Sequence, residues 1–183
     1  MIHRDLKTAN ILLDDPNDLD SIKIIDFGLC ERSLLMKVNE EPHAGTLIYM
    51  APEVASKLEY TKSVDIWALG IIMHLILTGD KHPFYEREKD NSESFKKKLA
   101  KLKTCVEPDS SFSWIAKNLF QKLTTIQAHK RYTARDTLKH PWITRNQIDS
   151  IPKSFVDEMK TFEYEQILKQ KMQILLFLSL IKQ

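Results

Sequence analysis

The residues Val64, Ile66, Trp67, Ala68, Leu69, Ile71, Ile72, Met73, Leu75, Ile76 and Leu77 constrain this chain more than any other feature. In helical geometry they cover nearly every side of one element, and a helix that is apolar all round belongs at the centre of a core. Thr61 or Ser63 is suited to start it and Gly79 to stop it. The remaining segments must supply the layers that pack around it.

Those layers are mostly helical. Phe95, Leu99 and Leu102 recur at helical spacing among Lys96, Lys97, Lys98, Lys101 and Lys103, so a surface helix with a solvated basic face is expected, a patch for an acidic partner being the alternative. Trp114, Ile115, Leu119, Phe120 and Leu123 fit a further helix, Thr133 to Leu138 another that His140-Pro141-Trp142 ends, and residues 155 to 181 a long last one. Ile11 to Leu13 and Ile22 to Ile25 flank the turn formers Asp14-Asp15-Pro16-Asn17-Asp18, which predicts a short β-hairpin. From Gly28 to Pro52 no period is visible, and an internal loop of that length usually carries function. The expected class is mainly α with one short hairpin.

Composition excludes several function classes. Only Gly28, Gly45, Gly70 and Gly79 are glycines, where average usage of about 7% would supply roughly thirteen. They are never close enough to build a dinucleotide or P-loop phosphate cradle, which needs clustered glycines. A net charge of +2 makes no electrostatic case for nucleic acid. Two cysteines, Cys30 and Cys105, make no disulfide framework, and Met1-Ile2-His3-Arg4-Asp5 has no apolar signal stretch, so an intracellular, cytoplasmic protein is expected. The longest apolar run, Ile174 to Ile181, falls short of the roughly 18 residues of a membrane span.

The chemistry lies near the start. Asp5 in His3-Arg4-Asp5-Leu6-Lys7 and Asp26 in Asp26-Phe27-Gly28 border the expected hairpin, with Asn10 five positions beyond Asp5. Two carboxylates, an amide and an ammonium gathered at a strand edge suit a site that holds a divalent metal through hard oxygen ligands and neutralises phosphate. Taken singly, each of these aspartates reads as a cap or turn former.

Together, His3-Arg4-Asp5-Leu6-Lys7-Thr8-Ala9-Asn10, Asp26-Phe27-Gly28 and Ala51-Pro52-Glu53 resemble the catalytic loop, metal-binding triplet and activation-segment end of the protein kinase family. Asp65-Ile66-Trp67-Ala68-Leu69-Gly70 is similar to that family's central helix, and Arg131-Tyr132-Thr133-Ala134 with His140-Pro141-Trp142 to its closing helix. The resemblance implies a C-terminal kinase lobe over residues 1–145, followed by a helical, regulatory-like tail over 146–183, with the small β-rich N-terminal lobe absent. It implies transfer of the ATP γ-phosphoryl group to a protein serine or threonine: Asp5 orients the hydroxyl and takes its proton, Lys7 contacts the phosphoryl group, and Asn10 and Asp26 hold two Mg2+ ions. Lys7, together with Gly45-Thr46 ahead of Ala51-Pro52-Glu53, points to the serine/threonine type, while Glu53 and Arg131 are implied to form a buried ion pair.

Finer features resemble the calcium- and calmodulin-dependent group: the acidic insertion Asp14 to Asp20, the string Gly79-Asp80-Lys81-His82-Pro83-Phe84-Tyr85, and a tail with Met159-Lys160-Thr161-Phe162. Arg4 is implied to receive an activating phosphate. Glu40 and Glu41 are expected to substitute for it, solvated loop glutamates being the alternative. Ala9 stands where that group carries a glutamate that reads substrate arginine, which puts basophilic specificity in doubt. Cys30 is either alkylatable beside the nucleotide or a buried, inert thiol.

Without the lobe that carries the glycine-rich loop, the chain alone is expected to be inactive, and several large side chains of the central helix are expected to stand uncovered at about 1.5–3 kcal/mol each. Two other readings are a non-catalytic lobe that binds a kinase substrate or regulator, and a tail, through Ile167, Leu168, Met172 and Phe177 near Lys160, Lys169 and Lys171, that binds a calmodulin-like or EF-hand partner.

Overall fold

The computed structural model describes residues 1–15, 21–32, 47–86 and 88–144. Strands β1 (Ile11–Leu13) and β2 (Ile22–Ile24) pair antiparallel with Ile11 opposite Ile24 and Leu13 opposite Ile22. Helices α1 (Pro52–Ala55), α2 (Ser63–Thr78), α3 (Ser92–Ala100), α4 (Trp114–Leu123), α5 (Ala134–Leu138) and α6 (Pro141–Thr144) supply most of the regular structure. This is the mainly helical architecture with one small hairpin that the sequence predicts. None of the described helices is long and apolar enough to cross a membrane.

Helix α2 runs through the core. Trp67, Leu69, Ile71, Ile72 and Met73 have no exposed surface, so the expectation of uncovered side chains on this helix does not hold. The buried residues Ile2, Leu6, Tyr49, Phe95, Leu99, Phe112, Leu119 and Phe120 belong to the same cluster, drawn from both sides of α2 in the chain. Gly70 makes the closest of these approaches possible: a Cβ there would lie 2.6 Å from Thr124 Cγ2 and 3.0 Å from Leu123 Cβ. At its end Gly79 adopts φ +67°, the left-handed conformation that stops a helix at little cost for glycine, and its amide returns to the Leu75 carbonyl. The start differs from expectation. Lys62 occupies the N-cap with no side-chain cap, while Thr61 Oγ1 accepts from the Ser63 amide at 3.3 Å and shares a hydrogen bond with the Ser63 hydroxyl at 3.0 Å.

Among the outer helices, α4 and α5 start after the caps Ser113 and Thr133 and end at Leu123 and Leu138 as expected, while α3 stops short of Leu102. In α3, Asn91 and Ser94 cap reciprocally, Phe95 and Leu99 face inward, and the exposed Lys97 pairs with Glu93, giving the amphipathic surface helix. Trp114 departs from its expected core position: it is 78% exposed. It precedes Ala116 by two residues, about 200° round the helix, so it lies opposite the buried stripe of Ala116, Leu119, Phe120 and Leu123. Pro141 does not simply end the fold's helices; it opens α6, as proline can at a first helical position.

Candidate active site

Hairpin and catalytic loop meet through backbone first. The Asn10 carbonyl accepts from the Ile25 amide at 3.0 Å, and Ile2 exchanges two backbone hydrogen bonds with Glu31, so residues 2–10 and 24–31 are stitched at both ends. Within this frame Asp5 is buried and its Oδ2 receives the Lys7 ammonium at 2.6 Å and the Asn10 amide at 3.1 Å. Asn10 also donates to the Asp5 carbonyl at 2.8 Å, which leaves its own side-chain oxygen without a hydrogen-bond partner among the described residues.

Backbone conformation places the second aspartate. Asp26 sits at φ 64°, an uncommon region that aspartate tolerates better than most residues, and among the described residues its exposed carboxylate accepts a hydrogen bond from the Gly28 amide, at 3.4 Å. Asp26 follows Ile25, so Asn10 and Asp26 stand at the same end of the hairpin. The described residues contain no cluster of three or more His, Cys, Asp or Glu that could enclose a metal. Magnesium needs no such cage, because it takes one or two carboxylates and completes its shell with water and phosphate oxygens. The Asp26 carboxylate and the Asn10 side-chain oxygen, at the same end of the hairpin, fit that donor set.

Asp65, on the first turn of α2, holds the strained part of the loop. Its two oxygens accept from the His3 amide at 2.8 Å and the Arg4 amide at 3.0 Å, fixing Arg4 at φ 69°, an unfavourable region for a long side chain. Burial pushes the Asp65 carboxyl above its usual range, against the pull of those two amides. Arg4 then bonds the Leu29 carbonyl and, at 3.3 Å, the Tyr60 hydroxyl. His3, buried, spans from the Asp5 amide to the Ile25 carbonyl at 3.3 Å, and its ring lies 5.1 Å from that of Phe27. Cys30 stands beside the His3 carbonyl at 3.7 Å, where burial and then Asp65 raise its thiol pKa, the condition of an inert thiol.

The expected pair of Glu53 and Arg131 is present. Arg131 grips both Glu53 oxygens at 2.8 and 3.0 Å and uses its other N–H groups on the carbonyls of Ser63, Thr125 and Ile126. All five donors are thus matched, and the guanidinium lies 5.2 Å from the Trp67 ring. Glu40, Glu41, Thr46, Ser33 and the tail from residue 145 lie outside the described residues.

Sequence reasoning missed three participants. Tyr49 places its hydroxyl 3.1 Å from Thr8 Oγ1, Tyr60 receives Arg4, and His82 bonds the Ile48 carbonyl at 2.9 Å. Each acts on a residue more than thirty positions away, and one of the acceptors is a backbone carbonyl, which carries no side-chain signature.

Comparison with known proteins agrees with this geometry. Residues 1–143 match the protein kinase domain family. The chain is 36% identical over 187 residues to the calcium/calmodulin-dependent protein kinase type II alpha chain of Drosophila melanogaster, covering 92% of this chain and 32% of that protein. It is 35% identical over 168 residues to the calcium/calmodulin-dependent protein kinase type 1 of Macrobrachium nipponense, covering 87% and 46%, and 38% identical over 148 residues to the serine/threonine-protein kinase H1 homolog of Danio rerio, covering 77% and 33%. It thus spans less than half the length of these relatives. With most of its length inside that match, and serine/threonine and calcium/calmodulin-dependent kinases among its relatives, the chain belongs to the protein kinase family.

Proposed function

We propose that residues 1–145 form the catalytic lobe of a kinase that transfers the ATP γ-phosphoryl group to serine or threonine in a protein substrate. The observation that carries this reading is the Asp5 carboxylate, buried and oriented by the Lys7 ammonium at 2.6 Å and the Asn10 amide at 3.1 Å. Asp5 orients the substrate hydroxyl and accepts its proton as the oxygen attacks phosphorus. Lys7 bridges from Asp5 to the transferring group, where its charge offsets the negative charge on the phosphoryl oxygens. Asn10 and Asp26 hold Mg2+, which when bound neutralises the ATP phosphates. Asp65 keeps the His3-Arg4-Asp5 backbone in register, and the Glu53–Arg131 pair ties the end of the activation segment to the start of α2 and to the Thr125–Ile126 backbone that follows α4. The chain's isolated glycines offer no phosphate cradle, and this chain by itself is expected to transfer nothing.

The test uses the protein that carries this chain, with labelled ATP, Mg2+ and peptides that differ only in a central Ser, Thr or Tyr. Label is expected on Ser and Thr, with the magnesium requirement raised and the rate reduced by Asp26→Asn. Absence of label in the unsubstituted protein, or an Asp26→Asn protein with unchanged rate and magnesium dependence, overturns the reading.

A second proposal concerns regulation. Ile167, Leu168, Met172 and Phe177 beside Lys160, Lys169 and Lys171 form a basic amphipathic pattern suited to a calmodulin-like partner, and two relatives carry calcium/calmodulin dependence in their names. Calcium-dependent retention of the chain on immobilised calmodulin, abolished by Leu168→Asp with Phe177→Asp, is the expected result; retention that survives both changes contradicts it.

A further inference from the structure

The proposed chemistry uses nothing of Gly79-Asp80-Lys81-His82-Pro83-Phe84-Tyr85, yet the histidine in that string makes three hydrogen bonds. Its Nδ1 accepts from the Phe84 amide at 3.3 Å and the Tyr85 amide at 3.0 Å, and its Nε2 lies 2.9 Å from the Ile48 carbonyl. Two N–H groups aimed at Nδ1 require that nitrogen to be bare, so the ring proton is on Nε2 and is donated to Ile48. A neutral imidazole is the one form that satisfies all three contacts.

The ring is also caged. Phe84 stands 4.7 Å away edge-on, and Tyr85 and the fully buried Phe95 of α3 are each 5.9 Å away. The charged and titratable groups that bear on it are His74 of α2, Asp90 ahead of α3 and Lys98 on α3. Burial, aided by His74 and Lys98, pushes the His82 pKa down to about 4, which agrees with the neutral ring that the three hydrogen bonds require.

What this contact holds leads to the active site. Ile48 is the middle of a tight turn, Leu47–Tyr49, in which Leu47 and Tyr49 are already buried against the core. To that burial the bond to the Ile48 carbonyl adds a directed contact on the turn's backbone. In the same turn the Tyr49 hydroxyl lies 3.1 Å from Thr8 Oγ1, and Thr8 opens the short helical turn Thr8–Asn10 whose last residue binds Asp5.

We propose that His82 is a positioning residue for phosphoryl transfer, clasping Leu47–Tyr49 so that Tyr49 supports the Thr8–Asn10 side of the Asp5 site where the substrate hydroxyl must enter. This rests on the kinase reading above. The residue acts through Ile48 and Tyr49 and touches no reacting group. A glutamine in its place keeps one N–H for Ile48, whereas phenylalanine keeps the ring packing and loses all three bonds.

In the protein that carries this chain, His82→Phe is expected to raise the KM for a Ser peptide about tenfold, the scale of one lost directed hydrogen bond, with kcat changed less than threefold and KM recovered in His82→Gln. Tyr49→Phe, which removes only the hydroxyl, is expected to move KM in the same direction, and it decides the matter if His82→Phe does not fold. An unchanged KM in both variants, or a loss confined to kcat in step with the unfolded fraction, overturns the proposal. Hydrogen exchange separates it from the kinase reading. If the unsubstituted protein transfers no phosphoryl group, that reading fails, while exchange at Leu47–Ala51 about tenfold faster in His82→Phe with α2 unchanged still supports the clasp. Equal exchange at Leu47–Ala51 in both proteins overturns it.

Discussion

Trp67 and Phe27 are large aromatic side chains in neighbouring layers, yet Trp67 has no exposed surface and Phe27 is 50% exposed. Around Trp67 the packing is closed by the apolar cluster, by a glycine where α4 comes close and by an arginine with all five donors matched, and only the indole N–H is buried without a partner among the described residues. Around Phe27 lie other exposed apolar residues, Leu12, Ile25 and Leu29, two backbones in left-handed conformation at Arg4 and Asp26, and the exposed Asp26 carboxylate. The core around α2 therefore supplies the stability, and the edge spends part of it on holding charge and strain where a ligand can reach them. Substitutions in the two regions are expected to separate accordingly, the first losing fold and the second losing chemistry.

The largest structural effect expected is at Glu53. Glu53→Gln leaves the Arg131 charge buried with half its pairing gone, which should cost about 3–5 kcal/mol in chemical denaturation. A cost below about 1 kcal/mol would mean that the ion pair is not part of the core. Gly70→Ala follows: its Cβ meets Thr124 at 2.6 Å, so a loss of about 1–3 kcal/mol is expected, largely restored by adding Thr124→Ala in a double-mutant cycle.

Acid sharpens the comparison. The His82 pKa is about 4 in the fold against 6.5 for a free histidine, so between these values the unfolded chain holds the extra proton. Stability is then full above pH 6.5 and falls as pH drops towards 4, by up to about 1.4 kcal/mol per pH unit for this group. His74 and His140 are shifted the same way by burial and steepen the slope. Melting temperatures followed over that range should show a shallower fall for His82→Gln than for the unsubstituted protein. The smallest effect expected is at the edge itself, where Phe27→Ser should change stability by no more than about 0.5 kcal/mol, as surface substitutions do.

How much could be read beforehand also divides along this line. The extent of α2 was legible because its apolar residues leave no polar side, and the strands were legible because β-branched runs flank a cluster of turn formers. Asp5, Lys7, Asn10 and Asp26 stood out as ordered motifs; Lys7 and Asn10 meet on Asp5 Oδ2, while Asp26 is placed at the same end of the hairpin as Asn10 by the pairing of Ile11 with Ile24. Trp114 was misread because a five-residue apolar list fits a helix without deciding which members share a face. Asp65 drew attention as part of a motif, but its grip on the His3 and Arg4 amides joins residues about sixty positions apart and follows no periodicity. The His82 clasp was invisible for the same reason, since its acceptor is a main-chain carbonyl that any residue would supply.

In the proposed function Asp5 takes the substrate proton, a role separate from stability. Its direct test is the initial rate of γ-phosphoryl transfer to a Ser peptide by the protein that carries this chain, with Asp5→Asn measured beside it and thermal unfolding recorded for both. A rate lower by about 10²–10⁴, with a melting temperature within a few degrees of the unsubstituted protein, is predicted for loss of a general base. An equal rate in the two proteins, or a loss of rate matched by unfolding, contradicts it.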